Sequence, residues 1–522
     1  MRTTVLKNLS AISLSLVVLL SRSAAEELKY SNPVLPGDFP DPSVIRVGDD
    51  YWATATTSEW APLFPLLHSR DLVHWSLEGA VFQKRPEWSV GNYWAPEISA
   101  HNGKFFVYYV GRKKGGPLHI AVATAENPRG PWTDHGPMIG QDAGSIDPMP
   151  VDDENGARYL VWKEDGNSKK LPTPIWAQKL SDDGTKLVGE MKELISNDVP
   201  WEGNLVEGPF VLRRGKWFYM FYSGAACCGR ACTYGVGVAR AKKLLGPWEK
   251  NPANPILAGN EKFRCPGHGS LVTDKNGKTF FLYHAYDAKD FVYVGRQGML
   301  DEVKWNADGW PTINNGNGAS VSAAIDTKSS GTMMRLDFAD EFKTEKLFPR
   351  WQWPQSIEPV ARVEKHNLVL SPNRERGNDL LGAILAVQAT TGDYVANTAF
   401  DVSELKTNVA AGLFAFGDEK NALGVFVQNE KINLLQRKRG KDTVLATVDV
   451  AKKGIGLRIT AHEGHRYRFA FQNGGDWKEI GAGEVEGDFL PPWDRGVRVA
   501  LTSGGVENAV AKFARFKLTP AR

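Results

Sequence analysis

Pro36-Gly37-Asp38-Phe39-Pro40-Asp41-Pro42-Ser43-Val44-Ile45-Arg46-Val47-Gly48-Asp49-Asp50-Tyr51-Trp52 decides how the chain is read. Alternating branched residues predict a strand from Ser43 to Val47. Gly48-Asp49-Asp50 supplies a tight turn, and Tyr51-Trp52 opens a second strand. Asp41 stands between two prolines, each fixing its own φ and restricting its predecessor, so its carboxylate is held stiffly. One Pro-Asp-Pro is only a rigid turn. The pattern recurs, however.

A turn glycine followed by an aromatic-rich strand appears at Gly48, Gly103, Gly156, Gly215 and Gly277, at intervals of 53 to 62 residues. A second mark follows several of these, an aromatic turn at Trp75, Trp132, Trp248 and Trp310. Repeated units of several short strands predict a five-bladed β-propeller; the alternative is a sandwich whose turns fall at these intervals by chance. Upstream of the glycines stand Asp41, Glu97, Asp147, Glu207 and His268. On the innermost strands of a propeller these five would converge. Acids gathered in one basin raise one another's pKa, an arrangement costly unless used.

Composition bounds the partners. With 63 Lys+Arg against 60 Asp+Glu the net charge is +3, too small to argue for nucleic acid or an anionic membrane. Residues 1–25 read as a signal peptide: Arg2 and Lys7, an apolar core from Ala11 to Leu20, and Ser23-Ala24-Ala25 before Glu26. The apolar run is too short to span a bilayer, which predicts a secreted or periplasmic protein. Cys227, Cys228, Cys232 and Cys265 then read as one or two disulfides of open pairing, with zinc as the weaker alternative. Residues 26–312 form the expected catalytic propeller and 313–333, turn-rich, a linker. Residues 334–522 alternate as a β-sandwich, whose composition fits a carbohydrate-binding module as well as a structural partner.

Two carboxylates across a small basin are the minimum for cleaving a glycosidic bond: a protonated donor to the leaving oxygen, and an ionised group that activates water or attacks. A third acid keeps the donor's pKa raised. Trp60, Trp94 and Trp201 could stack on sugars at the rim, although each singly reads as ordinary packing. Asp38, Asp142 and Glu202 read as structural or rim residues.

Phe39-Pro40-Asp41-Pro42-Ser43, Trp94-Ala95-Pro96-Glu97, Ser145-Ile146-Asp147-Pro148 and Val206-Glu207-Gly208-Pro209, in that order, resemble the motifs of glycoside hydrolase family 43. The resemblance covers residues 31–312 and implies a five-bladed propeller that hydrolyses with inversion. Asp41 would be the general base, Asp147 the pKa modulator and Glu207 the general acid. It implies a supporting place in the substrate pocket for Glu97, a histidine near a central water or calcium at His268, and a sugar-reaching arginine at Arg296. No cofactor is required; a structural calcium near His268 is an option that the resemblance leaves open. The C-terminal block resembles the concanavalin-like sandwich of some members. Terminal α-L-arabinofuranosyl or β-D-xylosyl residues are the expected substrates. A galactofuranosidase, or a non-catalytic carbohydrate-binding propeller, are the competing readings, and oligomeric state is unread.

Overall fold

The computed structural model describes residues 27–373, 376, 378–450 and 454–521; the leader read in residues 1–25 lies outside them. The regular structure of the described chain is almost entirely strand. Between Ser43 and Ile313 it forms five four-stranded antiparallel sheets, each laid down in chain order. Their first strands are Ser43–Val47, Trp94–His101, Ser145–Asp152, Val206–Arg214 and Phe263–Thr273. Each first strand packs against the next, and the fifth against the first, closing a ring. Gly48, Gly103, Gly156, Gly215 and Gly277, which turn the first strand into the second, all take positive φ between +59° and +83°. A side chain is strained there, so each of these turns needs glycine.

The aromatic second strands are explained by burial on both faces. Successive residues point to opposite sides. Tyr108 and Val110 therefore pack with Leu160 and Trp162 of the following sheet, while Tyr109 and Val107 pack with Trp52 and Leu66 of the preceding one. The same division repeats around the ring: Val161 meets Met220 and Tyr222, Phe221 meets Phe281 and Tyr283, and Phe280 and Leu282 meet Tyr51's side of the first sheet. Each such side chain contributes about 1.5–3 kcal/mol when fully buried.

The stretch 313–333, expected as a linker, is partly strand: Ser322–Asp326 pairs antiparallel with Glu27–Ser31. Beyond it lie a seven-stranded and a six-stranded sheet enclosing a separate apolar core. Within the six-stranded sheet, Asn421–Gln428 and Lys431–Lys438 form a hairpin turned at Asn429 and Glu430, both at positive φ. The two halves are joined tightly. Trp353 and Pro354 pair with Ala61 and Trp60, and the Asp38 carboxylate accepts from the Gly496 amide (3.0 Å) and the Arg498 guanidinium (3.2 Å).

Candidate active site

The five-fold repeat extends to backbone strain. Asp41, Ala95, Asp147, Gly208 and His268 all have positive φ, from +34° to +58°. The last four sit where the pairing of first and second strand slips. The first four precede proline: Pro42, Pro96, Pro148 and Pro209. Proline cannot donate to a ladder and is tolerated on an edge strand or a bulge, which is where it stands here. Each bulge re-aims one residue into the mouth of the ring. Non-glycine residues in this region are uncommon and cluster at functional sites.

Three of those positions, with Glu207 beside Gly208, make the site. His268 Nδ1 lies 3.5 Å from Asp41 Oδ1 and 3.9 Å from Asp147 Oδ2. The Gly208 amide donates to Asp147 Oδ2 at 2.9 Å. All three acids are buried.

Their surroundings differ. Burial alone would raise Asp41, but Arg296 Nη1 donates to its Oδ1 at 2.9 Å, His268 and His284 face it, and Thr56 Oγ1 donates to Oδ2 at 2.7 Å. Those partners hold its carboxyl well below the usual range, so Asp41 is ionised. Asp147 is pushed up to about 6 by burial, with Glu207 and Asp41 adding to the rise and His268 opposing it. Burial also acts to raise Glu207, but Lys163 Nζ donates to its Oε2 at 2.7 Å and Tyr234 Oη to its Oε1 at 2.8 Å, and the net direction is down. Lys163 and Tyr234 thus favour the carboxylate form of Glu207, the general acid that the resemblance implies. The opposite directions set the roles apart: burial and the neighbouring carboxylates favour a proton on Asp147, while Lys163 disfavours one on Glu207.

The remaining expectations divide. Arg296 is in the site, its backbone amide donating to Asp38 (3.2 Å) and its Nη2 to the Asp494 carbonyl of the sandwich (3.2 Å). Trp94 is half-buried at the mouth, its ring 5.8 Å from that of the exposed Trp493. Trp60 is 2% exposed and packs on Phe416 between the two halves, so it cannot stack on a sugar. Trp201 packs against Tyr222, its indole nitrogen buried. Glu97 stands two residues beyond Ala95, the position equivalent to Asp41 and Asp147. Its carboxyl is pushed up to about 8 by burial and pairs with the Ser43 hydroxyl. Counting back from the turn glycine misplaced it; counting to the proline would have found Ala95. Asp38 and Glu202 are structural as read, Glu202 accepting from Tyr222 (2.7 Å) and Lys250 (2.8 Å), and Asp142 is an exposed rim residue.

A calcium beside His268 does not fit the donor set. Calcium takes six to eight oxygens, whereas Asp41 and Glu207 already face Arg296 and Lys163, and among the described residues no group of three acidic, histidine or cysteine side chains could hold a metal. Thr56, Lys163, Tyr234 and His284 were not foreseen. For Lys163 and His284 the signal is a polar residue within or ending an apolar second strand, in Tyr159-Leu160-Val161-Trp162-Lys163 and Tyr283-His284-Ala285.

Two disulfides flank the site, Cys227–Cys228 and Cys232–Cys265. The second ties the residue two before Tyr234 to the residue three before His268. In the chain-entropy account a loop of that length is worth about 3–4 kcal/mol.

The sequence pattern of glycosyl hydrolases family 43 matches residues 30–311, and that of the beta xylosidase C-terminal concanavalin A-like domain matches residues 339–519. A xylosidase/arabinosidase of Butyrivibrio fibrisolvens is 27% identical over 470 residues, covering 83% of this chain and 87% of its own. A non-reducing end alpha-L-arabinofuranosidase of Bacteroides ovatus is 27% identical, covering 88% of each. The crystal structure of a family 43 protein from Bacillus licheniformis superposes with a TM-score of 0.82 at 24% identity, covering 95% of this chain and all of that one.

Proposed function

Because the chain belongs to glycosyl hydrolases family 43, and is thereby a glycoside hydrolase acting on carbohydrate, we propose that it is an exported exo-glycosidase releasing terminal α-L-arabinofuranosyl or β-D-xylosyl residues with inversion. The five four-stranded sheets are, in this reading, the five blades of a propeller. One observation carries the mechanism: three buried acids meet beside His268, Asp41 held ionised by Arg296, Asp147 pushed up to about 6 by burial, and Glu207 held down by Lys163.

Asp41 deprotonates a water that attacks the anomeric carbon, while Glu207 gives a proton to the leaving oxygen. Inversion needs room for that water, about 6.5–9.5 Å between the two working carboxyls. Asp147 lends the proton and orients Glu207 through the Gly208 amide. Lys163 stabilises the carboxylate that Glu207 becomes, making it a stronger donor at a smaller protonated fraction. The Trp94–Trp493 contact closes one side of the mouth, which favours a chain end over a through-running groove. Xylose and arabinofuranose are supported by the names of the relatives. Export is supported by the leader-like residues 1–25 and by two disulfides. Among the described residues no helix is long and apolar enough to cross a membrane.

A panel of nitrophenyl pentofuranosides, pentopyranosides and hexofuranosides, run on wild type and Glu207→Ala, tests the reading. Turnover of an arabinofuranoside or xyloside by wild type is expected, and none on any of them would overturn it. Proton NMR of the first-formed sugar should show the inverted anomer; retention would remove Asp41 as a water-activating base.

A further inference from the structure

The disulfide across adjacent residues has no obvious part in stability. A bridge stabilises by restricting the unfolded chain, and that effect grows with the loop it closes. Cys232–Cys265 spans 33 residues, whereas Cys227–Cys228 spans one and closes no loop. What such a bridge does is local: it locks the peptide between two residues and fixes both sulfurs on one rigid, polarizable surface.

That surface lies on a particular side of the site. The acid faces the leaving oxygen, so whatever carries that oxygen must sit on Glu207's side of the mouth. The segment 225–233 enters from the strand Trp217–Gly224 of Glu207's own sheet and ends beside Tyr234, whose hydroxyl donates to Glu207. Its course is pinned: the Ala225 amide donates to the Glu202 carbonyl (2.8 Å), the Gly229 amide to Tyr286 Oη (3.1 Å), and Arg230 Nη2 to the Asp488 carbonyl of the sandwich (2.6 Å). Any Cβ on Gly229 would lie 3.2 Å from the Trp493 carbonyl, so the segment abuts the residue that faces Trp94. Cys227 and Cys232 pack partly on Tyr234 and Tyr286, and both Cys227 and Cys228 remain half-exposed.

We propose that the Cys227–Cys228 ring, together with Trp493, forms the apolar platform that receives the sugar on the leaving-group side of the scissile bond. This inference rests on the glycosidase reading. A preformed platform of this kind needs little ordering when the ligand arrives, and sugars present apolar C–H faces to such surfaces.

The test compares two substrates of whichever sugar the panel identifies: xylobiose and β-D-xylosyl fluoride, or arabinobiose and α-L-arabinofuranosyl fluoride. Fluoride leaves without occupying the platform; the disaccharide must use it. The C227A/C228A double variant should lose about tenfold more kcat/KM on the disaccharide than on the fluoride, mostly through KM. Trp493→Ala should show the same imbalance, and it keeps both bridges should the cysteine variant fold poorly. Equal losses on the two substrates, or no loss on either, in both variants would overturn the proposal. If wild type turns over neither substrate, the glycosidase reading fails instead.

Discussion

Asp41 and Asp147 both face His268 Nδ1, yet one carboxyl is held well below its ordinary range and the other is pushed up to about 6. The difference lies in what each buried carboxyl faces. Asp41 meets a guanidinium, two histidines and a threonine hydroxyl, so pairing outweighs desolvation. Asp147 meets one backbone amide, His268 at the longer 3.9 Å and two other carboxylates, so desolvation wins. Identical side chains, brought to equivalent positive-φ positions by the same repeat, are driven in opposite directions by the groups that face them. The cation on the base side is also held by the sandwich through the Asp494 carbonyl, whereas Lys163 on the acid side belongs wholly to the ring.

Isosteric removal of each acid breaks the comparison hardest. Asp41→Asn should lower kcat by about 10²–10⁴-fold on every substrate, because water activation is lost whatever leaves. Glu207→Gln should lower it comparably on disaccharides but much less on nitrophenyl glycosides, whose leaving group needs little protonation. Kinetics on the two substrate types check both, and equal losses in both variants would contradict the division of roles. Next in size, Arg296→Met removes the guanidinium that pairs with the buried Asp41 charge. It should cost about 3–5 kcal/mol in chemical denaturation and move the acid limb of activity to higher pH.

The pH profile sharpens the same contrast. Asp41 is needed ionised and is held far below its ordinary value, so it does not limit activity near neutrality. The Asp147–Glu207 pair is needed protonated, so kcat/KM should fall as pH rises through about 6. Lys163→Met removes the charge that depresses Glu207 and should move that alkaline limb upward, while a Lys163→Arg variant should largely retain it. Stability carries the same sign. Asp147's folded value lies above the unfolded one of about 3.9, so its contribution is fully present below that and is lost as pH rises through about 6. The smallest effect is at the joint: Asp38→Asn weakens the acceptor shared by Gly496 and Arg498, and should cost about 1–3 kcal/mol with a modest fall in kcat.

How much of this was legible varied from place to place. The turn glycines and aromatic strands announced five similar units because the hairpin conformation and two-faced burial dictate residue type locally. The Asp-Pro, Glu-Gly-Pro and Gly-His-Gly motifs marked the right inner strands. Glu97 was assigned one pleat too far because the distance to the turn glycine varies between units, whereas the bulge before proline does not. Trp60 and Trp201 had the composition of sugar platforms, but a tryptophan's role is set by the surface opposite, and for both that surface is protein.

The sequence alone determined the repeat, the three acids and the cysteine-rich segment beside one of them, since glycine, proline and alternating apolar residues act on the backbone within a few positions. Only the tertiary structure decided which carboxyl is held ionised, because Arg296 and Lys163 reach Asp41 and Glu207 from positions 255 and 44 residues away in the chain. It also decided that the sandwich reaches the base side of the site, and that two adjacent cysteines bond to each other. Charge and packing act through space, and distance in space follows from closing the ring.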